Sequence, residues 1–558
     1  MTKLATFPLP GIQHGNRILV STIEQRAKND PDSSWVAAPI DNNDISRGYK
    51  EITFAEFNNA VNHAVHWLKQ NLPASDEPFQ SFAYAGPKDL RYPILAAAAG
   101  KLQKVMVLPS PLIPPVAQRL ILNKTQCQVY VRPSSMAEVV GTVLKDAPNV
   151  QQITAPELDS LLQDSQAEPY VYPKSWGEGK NDPWLVAHTS GTTGYPKPIT
   201  YTHQMMAAFD VAASLPDIDE FLLHHAPGRR WYTPLPSLHR SLVQLAPLTD
   251  HPKLVGMMMV LSITTYAHGT LVIGPPSPPS ADTVVDIFKH GRVDSALLTP
   301  ALIDEMCLND RALSALRNLR MVSYAGAPLS RKSGDLLAPY VQLVPAIGST
   351  EVGGYFTKFR RDDKDWDYIE FQKHTGAVFE PRSGDLHELV FVRAPECKMQ
   401  QIFLLYPDLD RFETKDLWVE HPTRKGLWKI VGRMDDYLPL SHGDGLYAAS
   451  LEPEIEQHPK VKAALIGGHG RPLPVLLVEL HDETEVAADA GHKAMVKSLQ
   501  PYIDRVNEDC HDCVKLSPER LIFASGDKPF TRTVKGSVAR MPSLELYKEE
   551  ISALFENN

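Results

Sequence analysis

The stretch LVAHTSGTTGYPKPITYTH, residues 185–203, decides how the rest of the chain is read. An apolar run gives way to six small or hydroxylated residues at 189–194, and Lys197 stands beyond them between two prolines. Gly, Ser, Thr and Pro are turn formers, so a plain turn is one outcome. A P-loop, G-x-x-x-x-G-K-[ST], is a second, but the spacing refuses it. Gly191 and Gly194 stand three apart, and Lys197 is followed by Pro198 rather than Ser or Thr. Pro198 also obstructs the helix that must start there. The third outcome is a hydroxyl- and amide-rich loop that wraps a polyphosphate with no helix terminus behind it. Glycines admit close backbone approach, hydroxyls donate hydrogen bonds, and Lys197 adds a point charge.

Working outward, helical and strand signals alternate through the first 430 residues or so. ITFAEFNNAVNHAVHWLKQNL opens with Thr53 and Glu56 in capping-box spacing. Phe57, Val61, Ala64, Val65 and Leu68 then share one helical face. The runs QSFAYAG and KVMVLPS read as strands around an apolar helix, YPILAAAAGKL. SALLTP, LRMVSYAGAPLS and VQLVPAIGSTE are further short apolar runs ending in small or polar residues. This is the rhythm of parallel strands with crossover helices, an α/β architecture whose ligands sit beyond the carboxyl ends of the strands. The segment 254–274 is the only stretch long enough to suggest a membrane span, but Ser262, Thr264, Thr265, His268 and Gly269 interrupt it. A buried helix, a turn at His268–Gly269 and a short strand fit it better. Past IVGRMDDYLPLSHGDG the texture changes, and the remainder is sized for a small α+β domain.

At 558 residues the chain exceeds one compact core, and two to four domains are expected. A net charge of −10 argues against a nucleic-acid or anionic-membrane partner. Five scattered cysteines suit a reducing compartment, and the N-terminus lacks a signal-peptide core, so a cytoplasmic location is expected. Cys510 and Cys513 form a lone C-x-x-C, read as two spare thiols on a helix.

The loop TSGTTGYPKP resembles the phosphate-binding signature of the adenylate-forming superfamily: acyl-CoA synthetases, luciferases and nonribosomal peptide synthetase adenylation domains. The resemblance implies that Thr189, Ser190, Gly191, Thr192, Thr193, Gly194 and Lys197 grip pyrophosphate. Further motifs come in the family's order. YAGAPLS is similar to the adenine-contacting segment, which implies Ala325, Gly326, Ala327 and Pro328 at the base. GSTE resembles the G-x-T-E motif, with Ser349 and Thr350 at the phosphate and Glu351 on Mg²⁺. ETKDLW supplies Asp416, matching the aspartate that grips the ribose hydroxyls. GRMDD supplies Arg433 for the ribose and Asp435 at a hinge. The implied organisation is a large N-terminal adenylate-forming domain, 1–434, with parallel-rich sheets and helices, and a small mobile C-terminal α+β lid, 435–558. The implied chemistry is attack of a carboxylate on ATP, where positioning and charge stabilisation do most of the catalytic work. Rotation about Asp435 would then present a second face for thioester formation.

The usual ending of this family, P-x-T-x-x-G-K-x-x-R, is departed from. In PFTRTVKGSVAR, aligned on Thr533, Gly536 and Arg540, the lysine position holds Ser537, and Lys535 precedes the glycine. Lys535 is taken as the displaced catalytic equivalent. This ending, and TKDL in place of TGDL, resemble fungal nonribosomal peptide synthetase-like carboxylic acid reductases. That implies an adenylation part whose acyl acceptor is a phosphopantetheine thiol on a carrier domain of the same parent polypeptide. Soluble CoA is the alternative acceptor, and a non-catalytic nucleotide-binding relative is the rival outside enzymes. No carrier serine motif or reductase fingerprint is visible, which suggests an excised domain or a free-standing relative. For the acid, His239, Arg240, Ser323, Ala325, Ala346, Gly354 and Tyr355 match pocket positions. They are mostly small, and no aspartate follows His239 to pair with an α-ammonium. An aryl or other non-amino carboxylic acid is therefore favoured.

Overall fold

The computed structural model describes residues 7–556 apart from 76, 112, 190–195, 235–251, 278, 363, 396–398, 435–436, 442–444, 509, 511 and 533–537. Contacts divide the chain into two compact units, Met1–Ala377 with Val392–Phe412, and Val378–Phe391 with Glu413–Asn558.

Among its described residues the first unit holds one two-stranded hairpin and two large sheets. One has six strands, in the spatial order Gln151–Thr154, Val129–Arg132, Ser81–Tyr84, Val105–Val107, Pro183–Thr189 and Lys197–Thr202. All its pairings are parallel except the last, an antiparallel hairpin. The other has seven: Gln342–Pro345, Met321–Tyr324, Ser295–Leu298, Arg230–Tyr232, Thr270–Val272, Ser34–Pro39 and Tyr49–Thr53. There only the last pair is antiparallel.

The apolar strand runs are explained by burial on both faces. Phe82, Met106, Leu185 and Ala187 from one sheet, and Trp231, Leu271, Leu297, Met321 and Val344 from the other, share a single core. The helices Leu19–Asn29, Phe54–Asn71 and Arg91–Lys101 fill that core. Alternate residues, among them Tyr232, Leu298, Val322 and Tyr324, point to a second core on the far face of the seven-stranded sheet. Ala83, Val107, Tyr130 and Val186 do the same for the six-stranded sheet. This period of two fixes which strand residues look inward between the sheets.

The capping box forms as its spacing predicts: Glu56 N–H donates to Thr53 Oγ1 at 3.2 Å, and Thr53 N–H to Glu56 Oε2 at 2.7 Å. Phe57, Val61, Ala64, Val65 and Leu68 are all fully buried. The 254–274 segment folds as expected, a buried helical run ending at His268, whose φ is +54°, then the strand Thr270–Val272. Its middle, Met258–Ile263, is π-helical. Among the described residues no helix is long and apolar enough to cross a membrane.

The second unit holds all but the end residues of a four-stranded sheet of Ala377–Ser383, Leu386–Val392, Arg411–Glu420 and Trp428–Arg433. It also holds a three-stranded sheet of Val461–Gly467, Val475–Leu480 and Leu521–Phe523. The helices Ala448–Ile455 and Asp489–Glu508 cover one face of the latter, and the C-terminal helices Arg540–Leu546 and Lys548–Glu556 cover the other. The two thiols differ from expectation. Cys510 lies past the end of the helix Asp489–Glu508, and Cys513 falls in the 3₁₀ turn Asp512–Val514.

Candidate functional site

In the first unit, the strands Pro183–Thr189 and Lys197–Thr202 pair so that Thr189 stands opposite Lys197. The loop between them, with Ser190, Gly191, Thr192, Thr193 and Gly194, lies outside the described residues, but both its anchors are seen. Lys197 opens a strand, so the helix a P-loop requires is absent at this place. His188 Nε2 accepts the Ser110 N–H at 3.2 Å, tying the outgoing strand end to the loop beside it. The exposed Lys197 ammonium sits 4.8 Å from the centre of the Tyr406 ring, a cation–π contact.

The same strand, Lys197–Thr202, reaches the G-x-T-E motif. Tyr201, fully buried, donates its phenol hydrogen to the Thr350 carbonyl oxygen. Burial, with Glu351 adding its negative charge, holds the Tyr201 hydroxyl well above its ordinary pKa, so it remains a donor. Thr350 and Glu351 form the tip of a two-residue-armed hairpin in which Gly348 pairs with Gly354 and Ser349 with Gly353. Ser349 Oγ accepts the Val352 N–H at 3.1 Å and closes the turn. Thr350 is buried and Glu351 half-buried. Among the described residues the Glu351 carboxylate has neither an ion-pair nor a hydrogen-bond partner. A half-buried carboxylate without a cation fits a hard divalent ion, because Mg²⁺ takes one or two protein carboxylates and completes its shell with waters and phosphates.

The candidate base-contacting segment comes directly after the strand Met321–Tyr324. Ala325 N–H donates to Leu298 O at 3.1 Å, and Gly326, at φ +97°, turns the chain outward. Gly326, Ala327 and Pro328 are exposed, and Ser330 then caps the helix Arg331–Leu337. Of the pocket positions, Ser323 faces the core between the sheets by strand alternation. It is fully buried, and its Oγ has no hydrogen-bond partner among the described residues. Ala325 and Ala346 pack against the same core, and Ala346 N–H donates to Tyr324 O at 2.9 Å. Tyr355 is buried just beyond Gly354, its N–H on Ile347 O at 2.9 Å. His239 and Arg240 lie outside the described residues.

In the second unit, Asp416 and Arg433 stand opposite each other on paired strands, and Arg433 Nη1 donates to Asp416 Oδ1 at 3.0 Å. Asp416 is buried, and its own N–H is held by Thr414 Oγ1 at 3.1 Å. Lys415 has φ +61°, the left-handed region, which explains why glycine is usual there in the family it resembles. Its N–H is fixed by Glu388 Oε1 at 3.1 Å, and Glu388 in turn pairs with Arg382. Lys415→Gly is expected to stabilise the protein by about 0.5–1 kcal/mol, the relief of left-handed strain less the added freedom of the unfolded chain. Stronger hydrogen-exchange protection along the strand Arg411–Glu420 checks this.

Lys535, Ser537 and Asp435 lie outside the described residues. Around the 533–537 segment, Arg532 bridges antiparallel to Val538, and Ala539 N–H donates to Thr531 O at 2.7 Å. Arg540 is tied to Glu452 at 2.5 Å and to Ile466 O at 3.1 Å. Tyr201, Tyr406 and Gly353 are site-building residues that the motifs did not single out. Only Tyr201 had a signal, the inward phase of the alternating strand KPITYT.

The anchored loop at one carboxyl edge and the G-S-T-E hairpin fixed by a buried tyrosine lie in the first unit, and the Asp–Arg pair lies in the second. The profile of AMP-binding enzymes matches residues 23–376 and that of the AMP-binding enzyme C-terminal domain matches 435–558. The chain belongs to the AMP-binding enzyme family. A carboxylic acid reductase of Neurospora crassa is 30% identical over 98% of this chain and 51% of its own length. An adenylate-forming reductase, Nps9, of Serpula lacrymans is 26% identical over 90% of this chain and 46% of its own. The chain thus spans about half the length of these relatives. Among solved structures, the fold is that of O-succinylbenzoate coenzyme A synthetase from Bacillus subtilis in complex with AMP. The TM-score is 0.65 at 15% identity, over 93% of this chain and 97% of that one. The amide bond synthetase McbA from Marinactinospora thermotolerans also gives 0.65, at 17% identity over 94% and 98%.

Proposed function

We propose that this chain joins a carboxylic acid to the AMP portion of ATP. A carboxylate oxygen bonds to the α-phosphorus, the bond from that phosphorus to the bridging oxygen breaks, and pyrophosphate leaves. The observation that carries this is one strand, Lys197–Thr202, which anchors the phosphate loop at one end and through Tyr201 fixes the Thr350–Glu351 turn near the other. Loop and turn are thereby held in one frame, so the groups assigned to the phosphates arrive together.

In this reading Thr189, Ser190, Thr192, Thr193 and Lys197 hold the β- and γ-phosphates, Thr350 binds a phosphoryl oxygen, and Glu351 takes Mg²⁺. The ion, when bound, would neutralise charge developing on the phosphoryl oxygens. Asp416, oriented by Arg433, takes the ribose hydroxyls, Ala325–Pro328 the base, and Lys535 the reacting carboxylate. Small residues at 323, 325 and 346 favour an aryl or other non-amino acid. The acyl group then passes to a phosphopantetheine thiol of a carrier domain, the arrangement suggested by reductase-type relatives about twice as long as this chain.

Acid-dependent exchange of labelled pyrophosphate into ATP, across benzoic, amino, fatty and betaine-type acids, is the direct check. Exchange with aryl acids is expected, and strong preference for a free α-amino acid overturns the substrate assignment. Lys535→Ala is expected to reduce exchange by about 100-fold or more. Full activity in that variant removes Lys535 from the first step.

A further inference from the structure

Lys88 lies past the carboxyl end of the strand Ser81–Tyr84, on the same edge of the six-stranded sheet where Pro183–Thr189 delivers the phosphate loop. Pro234 lies past the carboxyl end of Arg230–Tyr232, on the edge of the seven-stranded sheet where Met321–Tyr324 delivers Ala325. The Lys88 Nζ donates to Pro234 O at 3.1 Å, so this one contact joins the ligand-binding edges of both sheets.

The contact leaves the ammonium underused. Lysine carries three donors, and among the described residues this partly buried one meets a single neutral acceptor. The carboxylate next to it in sequence is turned away: Asp89 is gripped by Arg91 at 2.6 Å, and Arg91 reaches Glu157 at 3.5 Å. Lys101 shows how this fold treats a lysine with a structural role. Although 1% exposed, it has Asn58 and Asn62 at 3.1 Å and Glu24 at 3.5 Å. Burial, with no charged partner among the described residues, pushes the Lys88 ammonium down to about 8, which still leaves it mostly charged at neutral pH. A cation held with spare donors at a strand-end edge is poised for an acceptor that none of the described residues supplies.

We infer that Lys88 determines specificity for the acid substrate. Its ammonium takes an oxygen substituent, a hydroxyl or a second carboxylate, carried on the acid away from the reacting carboxylate. The inference rests on the acid-activating function proposed above.

The experiment uses the full chain and compares benzoic acid with its hydroxy- and carboxy-substituted derivatives at each ring position. Straight-chain mono- and dicarboxylic acids form a second set. In pyrophosphate exchange the parent is expected to favour one substituted acid. Lys88→Met is expected to raise the KM for that acid by about 10- to 100-fold, with kcat, the KM for ATP and the KM for the unsubstituted acid nearly unchanged. The parent's kcat/KM for the favoured acid falls as pH rises through about 8, when the ammonium is lost, and Lys88→Arg abolishes that fall. Equal losses for substituted and unsubstituted acids, or a pH profile unchanged in Lys88→Arg, overturn the inference while leaving acid activation standing. Absence of exchange by the parent with every acid overturns both.

Discussion

Replacing Glu351 with Gln is expected to lower acid-dependent pyrophosphate exchange by about 100- to 1,000-fold, roughly 3–4 kcal/mol of transition-state stabilisation. The substitution keeps shape and hydrogen-bonding capacity but removes the charge. The hairpin of Gly348–Ser349 on Gly353–Gly354 and the Tyr201 contact use neighbouring atoms and are left in place. Stability should therefore stay within about 0.5 kcal/mol of the parent. The distinguishing measurement is a Mg²⁺ titration. The variant should need more of the ion for half-maximal rate, because Glu351 would no longer offer it a charged ligand. Exchange within threefold of the parent at every Mg²⁺ concentration would remove the metal from Glu351.

The second large effect is structural. Gly353 has φ +73°, and a β-carbon there would come within 2.1 Å of Gln401 Oε1 and 2.6 Å of its Cδ. Gln401 cannot swing aside cheaply: it is 1% exposed, and its Nε2 donates to Met205 O at 3.0 Å. Gly353→Ala is expected to cost about 2–4 kcal/mol, left-handed strain plus overpacking, and to dislodge the Thr350–Glu351 turn. A chain of two units is not expected to unfold in one step, so the readouts are hydrogen exchange at 348–354 and catalytic rate. Gly354→Ala is the control, since nothing lies within 4 Å of a β-carbon placed there. Equal protection in the two variants would show that Gln401 yields.

Much of this molecule could be read from its sequence because its strands are buried on both faces and its helices on one. The doubly buried strands give short unbroken apolar runs, and helix 54–71 keeps its apolar stripe at helical spacing. The refusal of a P-loop rested on the Gly191–Gly194 spacing and on Pro198, and the strand Lys197–Thr202 is what that proline permits. Lys415 stood out as a departure from a familiar motif, but only its backbone angle gives the reason. Other features depend on partners distant in the chain. Nothing in the run KPITYT says that Tyr201 meets the Thr350 carbonyl, and nothing near Gly353 announces Gln401. The contact of Lys88 with the Pro234 carbonyl was equally hidden, because a lysine between a proline and an aspartate looks like any surface turn. The two thiols were misplaced because helix ends are weakly marked without a glycine cap.

The polypeptide passes between its units at three points, Ala377 to Val378, Phe391 to Val392 and Phe412 to Glu413. Modular recombination must respect that threading. A graft taken only from 435 onward would ask the host to supply the whole four-stranded sheet, including Asp416 and Arg433. Transplanting 378–391 together with 413–558 instead carries the Glu388 tether of Lys415 along with the segment it orients. Crossover junctions chosen by this partition, rather than by the linear family boundary, preserve the contacts that hold the ribose-binding candidates in register.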